Sequence, residues 1–257
     1  MQILKNKIRN LLRKTMTGRT LIDFLAHDKL EKIKFVSATR MTEHEFWKSA
    51  PLGLSIRHWL KDANVSTAIH YGNTCGLPEL FNAYLDMEDN TDILVFLHDD
   101  VWLNDNSLLA KLRLGLKQFD VLGVAGNRRR QAKQPAWLFS HIEGSEFIWD
   151  SAYLSGTVGH GRPGQAKFDY FGPAPASCEL LDGVFLAVSK KRVTDSKVHF
   201  DPRFSFDFYD MDFCRSARKA GLSLGTFPIS LIHESSGLFG KPSWVEALIL
   251  YLDKWKK

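Results

Sequence analysis

The sequence predicts an α/β domain: a mainly parallel sheet flanked by helices, with a small antiparallel subregion. Three observations carry that expectation. Ile93 to Leu97 is an unbroken apolar run that stops at His98-Asp99-Asp100, the pattern of a strand buried on both faces. Between Ser66 and Ala125, strand-like and helix-like stretches alternate, which argues for parallel pairing through crossover helices. Residues 131–177 break that rhythm with Gly, Pro, aromatic and polar residues, the texture of loops and short antiparallel strands.

The chain has 257 residues, 44% of them hydrophobic, so a full core is expected and disorder is not the default. The net charge is +5, and the first twenty residues hold six basic and no acidic side chains. An anionic partner follows from that asymmetry: phosphate, a membrane surface or nucleic acid. Cys75, Cys178 and Cys214 are too few and too scattered for a disulfide framework or a zinc site, which points to a reducing cytoplasm. No apolar run approaches a membrane span, and no signal-peptide pattern opens the chain. The expected organisation is a basic amphipathic segment at 1–31, a principal domain at 32–240 and an amphipathic helix at 241–257. The first segment suits either peripheral docking on the inner face of a membrane or packing against the domain. The last carries Trp244, Leu248, Tyr251, Leu252 and Trp255 with lysines at its end, and packing is the favoured reading.

Lys32 to Ala38 reads as the first strand, opening into Ser37, Thr39 and Arg40, a polar loop of the kind that starts a nucleotide pocket. Neither Gly-x-Gly-x-x-Gly nor a Walker loop occurs, so neither a dinucleotide fold nor a P-loop is indicated. Ser66 to Tyr71 is the next strand. Leu77 to Met87 is a helix with Leu80, Ala83 and Tyr84 facing inward and Asn82 either exposed or lining a pocket. Asn104 to Asn106 is expected to cap a helix through Lys117. Val121 to Ala125 is a further buried strand.

Several groups stand out chemically. Asp99 and Asp100 end a buried strand, hence lie at the sheet edge where ligands bind, and such oxygens suit Mg²⁺ or Mn²⁺. Arg128-Arg129-Arg130 is either a phosphate site or a solvated charge run. Trp137, Phe147, Trp149, Tyr153, Tyr170 and Phe171 either stack on sugar rings or close the core. Cys178 to Ser189 is a strand interrupted by Asp182-Gly183, marking a turn or a close approach of substrate. From Asp210 to Gly221 the spacing is helical, with Phe213, Cys214 and Ala217 apolar. Asp210 and Asp212 fall in its first turn, where acids oppose the helix dipole. Phe206, Phe208, Tyr209 and Phe213 around them would raise a carboxylate pKa, as a general base requires. Leu222 to Ile232 reads as a last strand with Pro228 at a break or edge, ending in His233, a candidate ligand for metal or phosphate.

Taken in order, Leu-Val-Phe-Leu-His-Asp-Asp-Val, Leu-Leu-Asp-Gly-Val-Phe-Leu-Ala-Val and Phe-Tyr-Asp-Met-Asp-Phe-Cys-Arg-Ser-Ala-Arg-Lys-Ala-Gly resemble the GT-A (Rossmann-like) glycosyltransferases, specifically the family-2-like bacterial enzymes, over roughly residues 32–237. The resemblance implies a nucleotide-sugar donor, most commonly a uridine diphosphate sugar, a glycan or lipid-linked saccharide acceptor, and cell-surface polysaccharide as product. It implies that Asp100 binds a divalent cation, Mn²⁺ or Mg²⁺, with His233 completing the shell. Asp99 would touch the ribose or the metal shell, and His98 stands where the family has the first acid of Asp-x-Asp. Asp210 would be the base of an inverting displacement, with Tyr209 in place of the usual Glu. Asp212 would support the helix or the acceptor, Thr39 and Arg40 would lie near the base, and Asp182, Gly183 and Arg128 would contact substrate.

Two rivals come from other classes. A metal-dependent phosphohydrolase also uses His-Asp pairs, but on helices with further histidines rather than at a strand end. A non-enzymatic basic module for membrane or nucleic acid accounts for the N-terminal charge but not for the acid and histidine clusters, so nucleic acid is not the expected partner.

Overall fold

The computed structural model of the chain describes residues 30–235 and 239–256. Contacts divide the chain into residues 1–31 and residues 32–257. The basic segment expected at 1–31 lies outside the described residues, apart from Leu30 and Glu31. Trp244, Leu248 and Tyr251 of the C-terminal helix are buried with the core, the packing favoured for it. Among the described residues, no helix is long and apolar enough to cross a membrane.

The chain opens with β1 (Ile33–Ala38), α1 (Glu43–Ser49), α2 (Pro51–Ile56), β2 (Val65–His70), α3 (Leu77–Asp86) and β3 (Ile93–Leu97). It continues through β4 (Val101–Leu103), α4 (Leu108–Gln118), β5 (Val121–Gly123), β6 (Ala125–Asn127), β7 (Phe139–Glu143), β8 (Glu146–Trp149), β9 (Leu154–His160) and β10 (Lys167–Gly172). It closes with β11 (Ala176–Cys178), β12 (Leu180–Leu181), β13 (Phe185–Ser189), α5 (Lys190–Asp195), α6 (Tyr209–Lys219), β14 (Leu224–Thr226), β15 (Leu231–His233) and α7 (Pro242–Lys254).

The main sheet runs β11-β14-β5-β13-β3-β1-β2. β1 pairs parallel with β2 and β3, and β14 with β5. β13 enters antiparallel between β3 and β5, so these two are not neighbours, as simple alternation would have made them. All five residues of β3 are buried, because strands flank it and α3 covers it. Each such side chain contributes about 1.5–3 kcal/mol by leaving water.

A second, mainly antiparallel sheet runs β12-β6-β9-β15-β4 with β10 beyond β9; of the stretch 131–177 it takes β9 and β10, while β7 and β8 pair antiparallel by themselves. Four strands of the main sheet continue into it after a break. β3 passes to β4 through His98-Asp99-Asp100, β5 to β6 through Val124, and β14 to β15 through the Pro228 segment. In the reverse direction β12 leads to β13 through Asp182-Gly183. Gly156 of β9, at φ 100°, lies so close to the Val124 carbonyl that no side chain fits.

Smaller expectations change. Ala83 is exposed, and Phe81 fills the inner face of α3 instead. The Asn82 amide donates to the Phe200 carbonyl at 2.8 Å and accepts from the Phe200 N–H at 2.9 Å. Within the expected 104–106 cap it is Asp105 that accepts from Ser107 N–H, at 2.9 Å, at the start of α4.

Candidate active site

β15 pairs antiparallel with β4, setting His233 opposite Val101 and therefore beside Asp100. His233 Nε2 lies 3.2 Å from Asp100 Oδ1. The His98 ring, at the end of β3, is 5.7 Å from the His233 ring. One ligand atom from each of His98, Asp100 and His233 falls within 4.8 Å of the others. Burial opposes charge on His233, but the hydrogen bond and charge of Asp100 outweigh it and hold the imidazole above its ordinary pKa. Burial likewise opposes charge on Asp100, yet His233 keeps that carboxyl below the usual range. Burial, then the neighbouring His233, lowers His98.

The residues fit a divalent cation. Asp100 Oδ1 is buried, and its 3.2 Å contact with His233 is too poorly directed to satisfy it, a cost that a metal bond would remove. His98, standing in place of the family's first acid and expected among the substrate contacts, lies with Asp100 and His233. Two imidazoles and a carboxylate make a softer set than the all-oxygen shells of Mg²⁺.

Asp210 stands in the first turn of α6. Its Oδ2 accepts from Gly183 N–H and its Oδ1 from Met211 N–H, both at 2.8 Å. Burial, and secondarily the charge of Asp182, push its pKa up to about 7. Tyr209 donates its hydroxyl to the Gly183 carbonyl at 2.8 Å and meets His98 Nε2 at 3.2 Å. A Cβ on Gly183 would lie 2.5 Å from that hydroxyl, so only glycine fits. The turn into α6 passes through Phe208 at φ 66°, a left-handed conformation that costs a bulky residue about 1–3 kcal/mol. Packing on Trp244 and Tyr251, with ring centroids 5.3 and 5.2 Å away, holds it there.

Two adjoining cavities frame these groups. One, of about 390 Å³, is lined by His98, Asp182, Gly183, Asp210 and His233 together with aromatic rings. The other, of about 950 Å³, is lined by Thr39, Arg40, Asn73, Asp99 and Lys241 among others. Phe206 and Asp207 line both, and the Phe206 ring stacks on His98 at 5.7 Å. The expected residues thus converge, with two exceptions. Asp212 is fully buried and accepts from Lys254 Nζ at 2.8 Å and Trp255 Nε1 at 2.7 Å, which ties α6 to α7. Arg128 is exposed, donates to the Ala152 carbonyl and lines neither cavity. Its neighbour Arg129 is committed to Asp150 at 2.5 Å.

Asp207, His160 and Asp169 also line the first cavity and were not singled out in the sequence. His160 lies beside His233 on the adjacent strand and 3.4 Å from Asp169. Asp207 had a local signal, an acid between two phenylalanines near Asp210. His160 and Asp169 had none, since only strand pairing brings them in.

No protein-family model and no curated protein sequence matches the chain. Solved structures do. The structure of GalNAc-T7 with UDP, GalNAc and Mn²⁺ matches with a TM-score of 0.50 at 12% identity, over 88% of this chain and 48% of that one. This chain therefore spans about half the length of that enzyme. The S. aureus TarS 1–349 structure matches at TM-score 0.44 and 11% identity, over 86% of this chain and 64% of that one. A Drosophila β1,4-galactosyltransferase 7 mutant, in complex with manganese, UDP-Gal and xylobiose, matches at 0.46 and 11%, over 85% and 79%. The likeness to GalNAc-T7 and the sheet topology agree: this chain has the GT-A fold.

Proposed function

We propose that the chain is a glycosyltransferase that moves a sugar from a nucleotide-sugar donor to a hydroxyl of a saccharide acceptor, inverting the anomeric carbon. The observation that carries this reading is that Asp210, His98 and His233 line one cavity, beside a second cavity that shares Phe206 and Asp207 with it. The nucleotide occupies the larger cavity, against Thr39, Arg40 and Asp99. Arg40 and Lys241 there suit an anionic ligand. The acceptor occupies the aromatic cavity, where its hydroxyl meets Asp210. A carboxylate whose pKa is near 7 serves as a base at neutral pH. A single base facing the departing group supports direct displacement, hence inversion.

His98, Asp100 and His233 would hold a divalent cation, and their imidazoles favour Mn²⁺ over Mg²⁺. When bound, it supplies positive charge where the leaving diphosphate becomes more negative. A uridine diphosphate sugar is the proposed donor, which the UDP and GalNAc in the GalNAc-T7 structure support.

The test is a thermal-shift screen of the full chain against nucleotide sugars with and without Mn²⁺. NMR of any product then reads the anomeric configuration. Stabilisation by a nucleotide sugar that depends on Mn²⁺, with inverted product, is expected. Indifference to every nucleotide sugar would end the transferase reading, and retained configuration would end the displacement.

A further inference from the structure

We propose that the aromatic cavity accepts an uncharged saccharide and rejects saccharides that carry a carboxylate or phosphate. The inference rests on the transferase reading and names the class of its acceptor. Trp137, Trp149, Phe171, Phe239 and Trp244 line the cavity. Trp149 is 51% exposed and stacks on Phe171 at 6.3 Å, while Trp137 meets the Phe171 edge at 5.2 Å. Such rings offer flat apolar faces, which match the C–H face of a pyranose and gain by leaving water.

Charge decides between saccharides of the same shape. Asp169, Asp182, Asp207 and Asp210 all line this cavity, and among the described residues no lysine or arginine does. Both kinds of cation line the neighbouring cavity instead, as Arg40 and Lys241. The positive charge expected at His98, Asp100 and His233 is already met by Asp100 and by the donor's diphosphate. A further anion would thus enter an acidic space in which His233 already faces Asp100 and His160 already faces Asp169, with no lysine or arginine among the described lining residues to pair it. It would also hold a proton on Asp210, which burial and Asp182 already favour. A neutral sugar has no such conflict, and its hydroxyls can donate to the same carboxylates.

Matched probes differing only in charge test this. Phenyl β-glucoside and phenyl β-glucuronide, and the corresponding galactoside and galacturonide, are titrated onto the full chain with UDP and Mn²⁺ present. The tryptophans lining the cavity make intrinsic fluorescence the readout. The neutral member of each pair is expected to bind at least about tenfold more tightly. In an Asp169→Asn, Asp207→Asn double variant that gap narrows several-fold, and Trp149→Ala weakens the neutral probes. Equal or tighter binding of the uronides, or no binding of any neutral probe, overturns the proposal. Thermal shift with UDP and Mn²⁺ on the same sample separates the two readings. A shift without discrimination sinks only the acceptor class, and no shift sinks the transferase reading beneath it.

Discussion

Tyr209 Oη lies 3.2 Å from His98 Nε2 and 2.8 Å from the Gly183 carbonyl oxygen. A carbonyl only accepts, so the tyrosine spends its one proton there. His98 must then donate from Nε2, which leaves Nδ1 with the lone pair that a metal needs. Tyr209 thereby sets the tautomer of a candidate metal ligand. Tyr209→Phe is expected to keep the fold and to weaken Mn²⁺ binding by about ten- to a hundredfold, measured by calorimetric titration. Wild-type affinity in the variant would refute the assignment.

Asp210 as base predicts a rate that rises with pH. Below its pKa of about 7 the carboxyl holds its proton and cannot accept another; above it the carboxylate is available. The acidic limb of the kcat profile is therefore expected near that value. Asp182→Asn removes a repelling negative charge, so ionisation becomes easier and the limb moves to lower pH. Asp210→Asn should cut kcat by about 10²–10⁴ with donor affinity retained. An unchanged kcat would remove the base.

Gly183→Ala would place a Cβ 2.5 Å from Tyr209 Oη and 2.9 Å from Asp210 Cβ. Both neighbours must move, so metal affinity and kcat should fall together. A variant that lost only one of them would separate the two halves of the site.

Asp212 predicts stability rather than chemistry. Lys254 is its cation, and the carboxylate is fully buried. Lys254→Met leaves it with Trp255 alone, at a cost of about 3 kcal/mol, or roughly 6–12 °C in Tm by calorimetry. Adding Asp212→Asn to that variant should recover part of the loss, because the uncompensated charge goes with it. A Tm that stays at the wild-type value would mean the pair contributes little.

The sequence by itself determined the local elements whose burial leaves a periodic trace. Ile93 to Leu97 had to be a two-sided strand, Asp210 to Lys219 an amphipathic helix, and His98-Asp99-Asp100 and His233 had to lie where apolar runs stop. A motif resemblance then sufficed to expect the GT-A fold. Tertiary structure alone decided that β13 enters antiparallel between β3 and β5, since strand order depends on packing that periodicity does not encode. It set His98, expected among the substrate contacts, in the company of Asp100 and His233, and of the two roles open to Asp212 it favours support, as the anchor of α7. It also added His160, Asp169 and Asp207 to the aromatic cavity. The reason is common to these cases: local patterns report whether a residue is buried, whereas function depends on which partners, often a hundred residues away, are buried with it.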